Sequence, residues 1–277
     1  MSGSYSDASG SRPYRLYVPA RKLANPPLVV MLHGCTQTAE DFATGTRMNT
    51  LAEAAGALVL YPVQTSGANA QRCWNWFSPA DQSAGRGEPA IVAGMTRWII
   101  AEYHADPARV FVAGLSAGGA AAAVLGAAYP QLYAGIGVHS GLACGAASGV
   151  VGALSAMRTG RAGRGRIDVP AIIFHGDRDG TVNARNATEL AAQVAASDRS
   201  NTEPGSAARS SSERGSAPGG LAWTRVTQAA AHGRPRLEQW TVHGAGHAWS
   251  GGNPSGSYTE PRGPDASAEM LRFFLDG

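Results

Sequence analysis

The sequence predicts an α/β fold: a mostly parallel sheet with helices on both faces. Three observations predict it. Short continuous apolar runs recur, among them 28–33 (LVVMLH), 57–61 (ALVLY) and 170–175 (PAIIFH), as expected of strands buried on both faces. Helix-like segments alternate with them. Glycine is abundant, at 36 of 277 residues, which suits the tight turns such an alternation needs.

The elements follow in order. After the strand at 28–33 comes His33-Gly34, a sharp turn, then a helix over 45–55 and the strand at 57–61. Residues 64–88 hold Gly, Asn, Ser, Pro and two Trp, and read as a long surface loop. Helical periodicity over 89–104 starts at Pro89, a residue tolerated in a first turn. Asp106-Pro107 marks a turn before a strand at 110–113. An Ala-rich helix over 116–129 ends at Pro130. A strand at 134–139 precedes 145–167, largely irregular with at most a short helix. The strand at 170–175, helix at 184–196, strand at 236–242 and helix at 266–275 complete the alternation. Residues 1–11 read as a polar tail, and the low-complexity stretch 197–220 as a flexible insertion in a single domain spanning 1–277.

Composition excludes several functional classes. Hydrophobic residues make up 44% and charged residues 16%, a compact globular composition rather than a disordered one. The net charge of +3, with scattered Lys and Arg, is too mild to point to nucleic acid. No apolar run reaches the ~20 residues that span a bilayer. The first eleven residues lack the basic start and apolar stretch of an export signal, which leaves a cytoplasmic chain or a processed exported one. Cys35, Cys73 and Cys144 match no zinc spacing, so no metal is expected; they allow one disulfide at most.

The strongest chemical signal is Gly114-Leu115-Ser116-Ala117-Gly118, a G-x-S-x-G sequence between a strand and a helix. Such a turn lifts a serine hydroxyl above the sheet and aims a helix N-terminus at it. The Ala117 amide then faces a developing oxyanion. A serine needs a base, and the base an orienting acid, in the order Ser, acid, His for this architecture. His247, in the glycine-rich segment Gly244 to Trp249, is the expected base. His139 and His175 end buried strands and read as core histidines. Asp179 is the favoured acid, with Asp177 expected to bond backbone amides and shape the turn. The second oxyanion amide is expected from the loop His33 to Gln37, with Cys35 preferred and Thr36 second.

Taken together, His33-Gly34-Cys35-Thr36-Gln37, Cys73-Trp74-Asn75-Trp76-Phe77, the elbow with Gly119, His139-Ser140-Gly141-Leu142, His175 to Asp179 and Gly246 to Trp249 resemble the polyhydroxybutyrate depolymerase family of esterases. That family in turn resembles feruloyl and acetyl-xylan carbohydrate esterases. The resemblance runs from about Arg12 to the C-terminus, apart from 197–220. It implies an α/β-hydrolase fold, Ser116 as nucleophile, Asp179 as acid, His247 as base, and Cys35 with Ala117 at the oxyanion hole. It also implies a Cys35–Cys73 disulfide, Cys144 left free, a secreted or periplasmic location, and no cofactor.

The expected substrates are hydroxybutyrate oligomers or related short-chain esters, with Trp74, Trp76 and Trp249 lining an acyl or polyester groove or, alternatively, anchoring loops. Rival readings are a feruloyl or acetyl-xylan esterase, a serine peptidase using the same triad, and a non-catalytic binding protein on the same scaffold.

Overall fold

The computed structural model describes residues 1–21, 23–199, 210–229 and 235–276. In chain order the elements are β1 (Ser2–Asp7), β2 (Gly10–Tyr17), β3 (Leu28–Leu32), α1 (Ala39–Thr46), α2 (Met48–Ala55), β4 (Leu58–Pro62) and α3 (Gly87–Tyr103). Next come β5 (Val110–Leu115), α4 (Ala117–Ala128), β6 (Gly135–His139), α5 (Gly149–Thr159), β7 (Ala171–Gly176) and α6 (Arg185–Arg199). The chain closes with β8 (Ser210–Ser216), β9 (Ala222–Ala229), β10 (Pro235–Val242), the short pair β11 (Trp249–Ser250) and β12 (Thr259–Glu260), and α7 (Ala266–Leu275).

Ten strands form one sheet in the order β1-β2-β4-β3-β5-β6-β7-β10-β9-β8. The six from β4 to β10 are parallel, and an antiparallel pair closes each edge. Strand side chains alternate between two cores. Leu28, Val30, Leu32, Val110 and Val112 pack under α3 and α4, while Val29, Met31, Phe111, Ala113 and Leu115 pack against α1, α2 and α7. A strand buried on both faces can be apolar at every position, which is why these runs stood out in the sequence. Each such side chain contributes roughly 1.5–3 kcal/mol by burial.

From β3 the chain moves outward to β4, then returns to the other side of β3 as β5. That reversal opens a crevice between the carboxyl ends of β3 and β5, the usual ligand position in such sheets. The loop 33–37 leaves β3 there, and Ser116 leaves β5 there.

Three expectations are corrected. Residues 1–11 are no tail. Ser2 to Asp7 pair with Gly10 to Arg15 in a hairpin at the sheet edge, with Tyr14 buried in the core and Tyr5 packed against it. Likewise 197–220 is not one irregular insertion. Residues 210–216 form β8, almost wholly exposed, laddered onto β9; residues 200–209 lie outside those described. Finally, the helix expected over 45–55 is two helices, broken at Arg47, whose φ of 54° is left-handed. The irregular stretch 145–167 does contain a short helix, α5.

Candidate active site

The turn after β5 is dictated by space. A Cβ on Gly114 would stand 2.4 Å from the Gly118 backbone, and one on Gly118 would stand 2.1 Å from the Leu32 carbonyl. Only glycine lets β5, α4 and the end of β3 approach this closely. Ser116 between them takes φ 56° and ψ −118°, a conformation unfavourable for an L side chain and one that persists only where its surroundings enforce it. The enforcing contacts are Ser116 N–H to His139 O at 2.9 Å and Ala120 N–H to Ser116 O at 2.9 Å. Ser116 is 9% exposed and stands at the N-terminus of α4, where amide dipoles favour negative charge.

Asp179 follows β7. Its Oδ1 accepts the amides of Thr181 (2.9 Å) and Val182 (2.8 Å). Its Oδ2 accepts Nδ1–H of His247 at 2.7 Å and lies 3.3 Å from Nε2 of His175. The Asp179 side chain is fully enclosed. Burial alone would raise its pKa. The hydrogen bonds from His175 and His247, the His247 charge and the Val182 amide outweigh it and hold the carboxyl well below the usual range. An ionised acid fixed this way selects the His247 tautomer whose Nε2 carries a lone pair. His247 is 12% exposed. Among the described residues no hydrogen bond joins Ser116 Oγ to His247, and such contacts commonly tighten only with substrate bound.

The loop after β3 sorts its amides. Gly34 N–H donates to Gln37 Oε1 at 2.8 Å, and Thr36 N–H to Gln71 O at 2.6 Å. Among the described residues no hydrogen bond uses the amide of Cys35 or of Ala117. Of the two donors weighed from sequence, Thr36 is thus occupied and Cys35 is open. A Cys35–Cys73 disulfide, with Cα atoms 4.2 Å apart, ties this loop to the Trp loop, and Cys144 is free and buried. His33 Nε2 accepts the Gln64 amide at 3.1 Å, and Gln64 donates to Cys73 O at 2.9 Å.

Trp74, Trp76 and Trp249 are buried. Trp249 stacks on His139 at 5.1 Å, meets Phe42 edge-on at 5.4 Å, and donates its indole N–H to Ser267 Oγ at 3.0 Å. Trp74 and Trp76 line a small apolar cavity with Leu32, Val92 and Val124. Trp249 is thus held by its indole bond, whereas among the described residues the Trp74 indole N–H has no hydrogen-bond partner.

Several functional contacts were not read from sequence. His175 is the core histidine expected: its Nε2–H donates to the Val182 carbonyl at 2.8 Å, and the same nitrogen lies 3.3 Å from Asp179 Oδ2. His139 is the other core histidine expected: its Nε2 accepts the Ser250 amide at 2.9 Å. Burial, then the charges of His175 and His247, push its pKa down to about 3, so it stays neutral. Glu88, buried at the start of α3, accepts the Asn75 backbone amide (2.7 Å) and side-chain amide (2.8 Å), and so holds the Trp loop. A carboxylate heading an apolar helix was the only signal for it. Asp177 bonds a backbone amide, as expected, but also an imidazole that was not.

Comparisons with known proteins give the family. The family model described as esterase PHB depolymerase matches residues 12–217. Poly(3-hydroxyalkanoate) depolymerase C of Paucimonas lemoignei is 33% identical over 83% of this chain and 57% of its own length. Acetylxylan esterase A of Talaromyces purpureogenus is 32% identical over 70% of this chain and 56% of its own. The chain therefore spans a little over half the length of these relatives. Among solved structures, an acetyl xylan esterase from Aspergillus awamori superposes with a TM-score of 0.72 at 22% identity, over 99% of this chain and 98% of that one. No helix among the described residues is long and apolar enough to cross a membrane. The chain carries the α/β-hydrolase fold and belongs to the polyhydroxybutyrate depolymerase family of esterases.

Proposed function

We propose that this protein is a serine esterase that cleaves carboxylic esters through an acyl-enzyme, with hydroxyalkanoate oligomers or related short-chain esters as substrates. The observation that carries the reading is the 2.7 Å bond between His247 and the buried Asp179, 68 residues apart in sequence, at the carboxyl ends of the strands where the Ser116 elbow also stands. The similarity to a poly(3-hydroxyalkanoate) depolymerase supports the substrate class.

The reaction has two halves. His247 Nε2 takes the Ser116 proton as Oγ attacks the ester carbonyl carbon. The carbonyl oxygen gains negative charge and is held by the Cys35 and Ala117 amides. Asp179 stabilises the imidazolium that forms. The intermediate collapses, His247 returns the proton to the departing alcohol, and the acyl group remains on Ser116. Water then repeats the sequence and releases the acid. The Cys35–Cys73 disulfide supports an oxidising compartment as the site of action.

The test is hydrolysis of p-nitrophenyl esters from acetate to decanoate alongside hydroxybutyrate oligomers. Ser116→Ala is expected to stay folded and lose about 10⁴-fold or more in kcat. A folded Ser116→Ala with wild-type turnover contradicts the assignment. The similarity to acetylxylan esterase A favours a second reading, an ester on a sugar alcohol. Acetylated xylo-oligosaccharides hydrolysed well above hydroxybutyrate oligomers would select it.

A further inference from the structure

Two Asp–His pairs join the loop after β7 to the loop after β10. The inner one is Asp179–His247. The outer one is Asp177–His243, where Nδ1–H donates to Oδ2 at 2.8 Å. The other Asp177 oxygen accepts the Gly244 amide at 2.7 Å. The far nitrogen of His243, Nε2, meets Thr224 Oγ1 on β9 at 2.8 Å. Between the pairs, Arg178 N–H donates to Ala245 O at 3.0 Å. The outer side chains are half-exposed, 42% for His243 and 39% for Asp177, whereas the inner carboxylate is enclosed.

The segment between the two histidines explains the need for a second pair. Gly244-Ala245-Gly246 leads to His247, with Gly244 at φ 83°. Unlike the elbow glycines, these have room: nothing lies within 4 Å of a Cβ on Gly246, and only a Leu221 methyl, at 3.8 Å, approaches one on Gly244. Ala245 between them is buried, its carbonyl against Gly176, but packing leaves the two flanking glycines free to turn, and ordering each residue costs roughly 1–2 kcal/mol. His247 cannot be its own sole anchor, because its ring gains and loses a proton twice in each proposed turnover.

We infer that Asp177, with His243 and Thr224, is a positioning clamp that sets where His247 stands over Ser116. This rests on the triad proposed above. The clamp keeps its bonds in either protonation state of His243. Nδ1–H donates to the carboxylate in both. The Thr224 hydroxyl donates to a bare Nε2 or accepts from a protonated one. It therefore holds the base loop independently of the proton transfers at His247.

The experiment compares wild type, Asp177→Ala, Asp177→Asn, Thr224→Val and Ser116→Ala. The readouts are kcat and KM on a p-nitrophenyl ester, thermal midpoint, and the far-downfield proton resonance of His247 Nδ1–H. Asp177→Ala is expected to lower kcat about tenfold or more with KM within about twofold, because misplacing a reacting group acts on the transition state. The resonance shifts or broadens. Asp177→Asn keeps an acceptor for Gly244 and recovers part of the loss, and Thr224→Val loses less. A folded Asp177→Ala with wild-type kcat and an unmoved resonance overturns the clamp. So does a loss that vanishes once rates are scaled to the folded fraction. If Asp177→Ala does not fold, Asp177→Asn and Thr224→Val decide: wild-type kcat in both overturns the clamp. Ser116→Ala separates the two ideas. Activity there sinks the triad, whereas a dead Ser116→Ala beside a fully active Asp177→Ala sinks only the clamp.

Discussion

The two sides of the site are fixed by different means. On the side of Ser116 and Cys35, position comes from contacts that do not titrate. Glycines there admit backbone at 2.1–2.4 Å from where a Cβ would be, and a disulfide pins the loop after β3. On the side of Asp179 and His247, one such close approach, Ala245 O at 2.3 Å from where a Cβ on Gly176 would be, is joined by titratable hydrogen bonds between two loops, Asp179–His247 and Asp177–His243. The difference follows from the chemistry proposed. An oxyanion hole acts by being set in advance, so that nothing reorganises as charge develops. An acid–base pair must carry a changing charge, so it sits among groups able to follow the proton.

Asp179→Asn strikes the acid–base side hardest. It is expected to leave the fold intact and lower kcat about 10⁴-fold, since the His247 tautomer is no longer selected. It also has a pH signature. The folded Asp179 carboxyl lies below its ordinary range, against the effect of burial, because of His175, His247 and Val182. Its charge therefore contributes stability that is complete above the unfolded pKa of about 3.9 and is lost as pH falls through the lower folded value. The stability gap between wild type and Asp179→Asn should thus narrow as pH drops below about 4; a gap that widens in acid contradicts this.

Removing the disulfide with Cys35→Ser and Cys73→Ser tests the other side. The 38-residue separation predicts a stability loss of about 4 kcal/mol by loop entropy. Freeing the Cys35 amide should cost up to about 10²-fold in kcat, bounded by the worth of one oxyanion donor. Unchanged kcat in the folded double variant would mean that the loop is set without the disulfide. The smallest effect is expected for Trp249→Phe. Losing the indole bond to Ser267 lowers stability by about 1 kcal/mol and leaves KM unaltered. A large rise in KM would return Trp249 to the substrate groove.

Legibility in the sequence followed the kind of force involved. Five of the six parallel strands announce themselves because burial on both faces favours apolar runs such as Leu28 to Leu32 and Ala171 to Phe174, while β10 is legible from its alternation of buried and half-buried residues. The hairpin of β1 and β2 and the strand β8 did not. β8 is almost wholly exposed and rests on backbone bonds, which Ser-rich sequence such as Ser210 to Ser212 supplies as well as any other, and in the hairpin only scattered residues such as Tyr5, Tyr14 and Leu16 reach the core. At the site, the elbow was readable because its geometry admits few residue types. The pairing of Asp177 with His243 was not, since it depends on where separate loops meet. The sequence leaves Trp74, Trp76 and Trp249 open between groove and loop anchor, because an indole useful to a ligand and one useful to a core have the same composition.

The most direct test of the account is intact-mass analysis and peptide mapping after reaction with a fluorophosphonate ester probe. The account predicts one phosphonyl group per chain, on Ser116, absent in Ser116→Ala and formed far more slowly in Asp179→Asn. A label on another residue, or none on a folded wild-type protein, would contradict the assignment of Ser116 as an activated nucleophile.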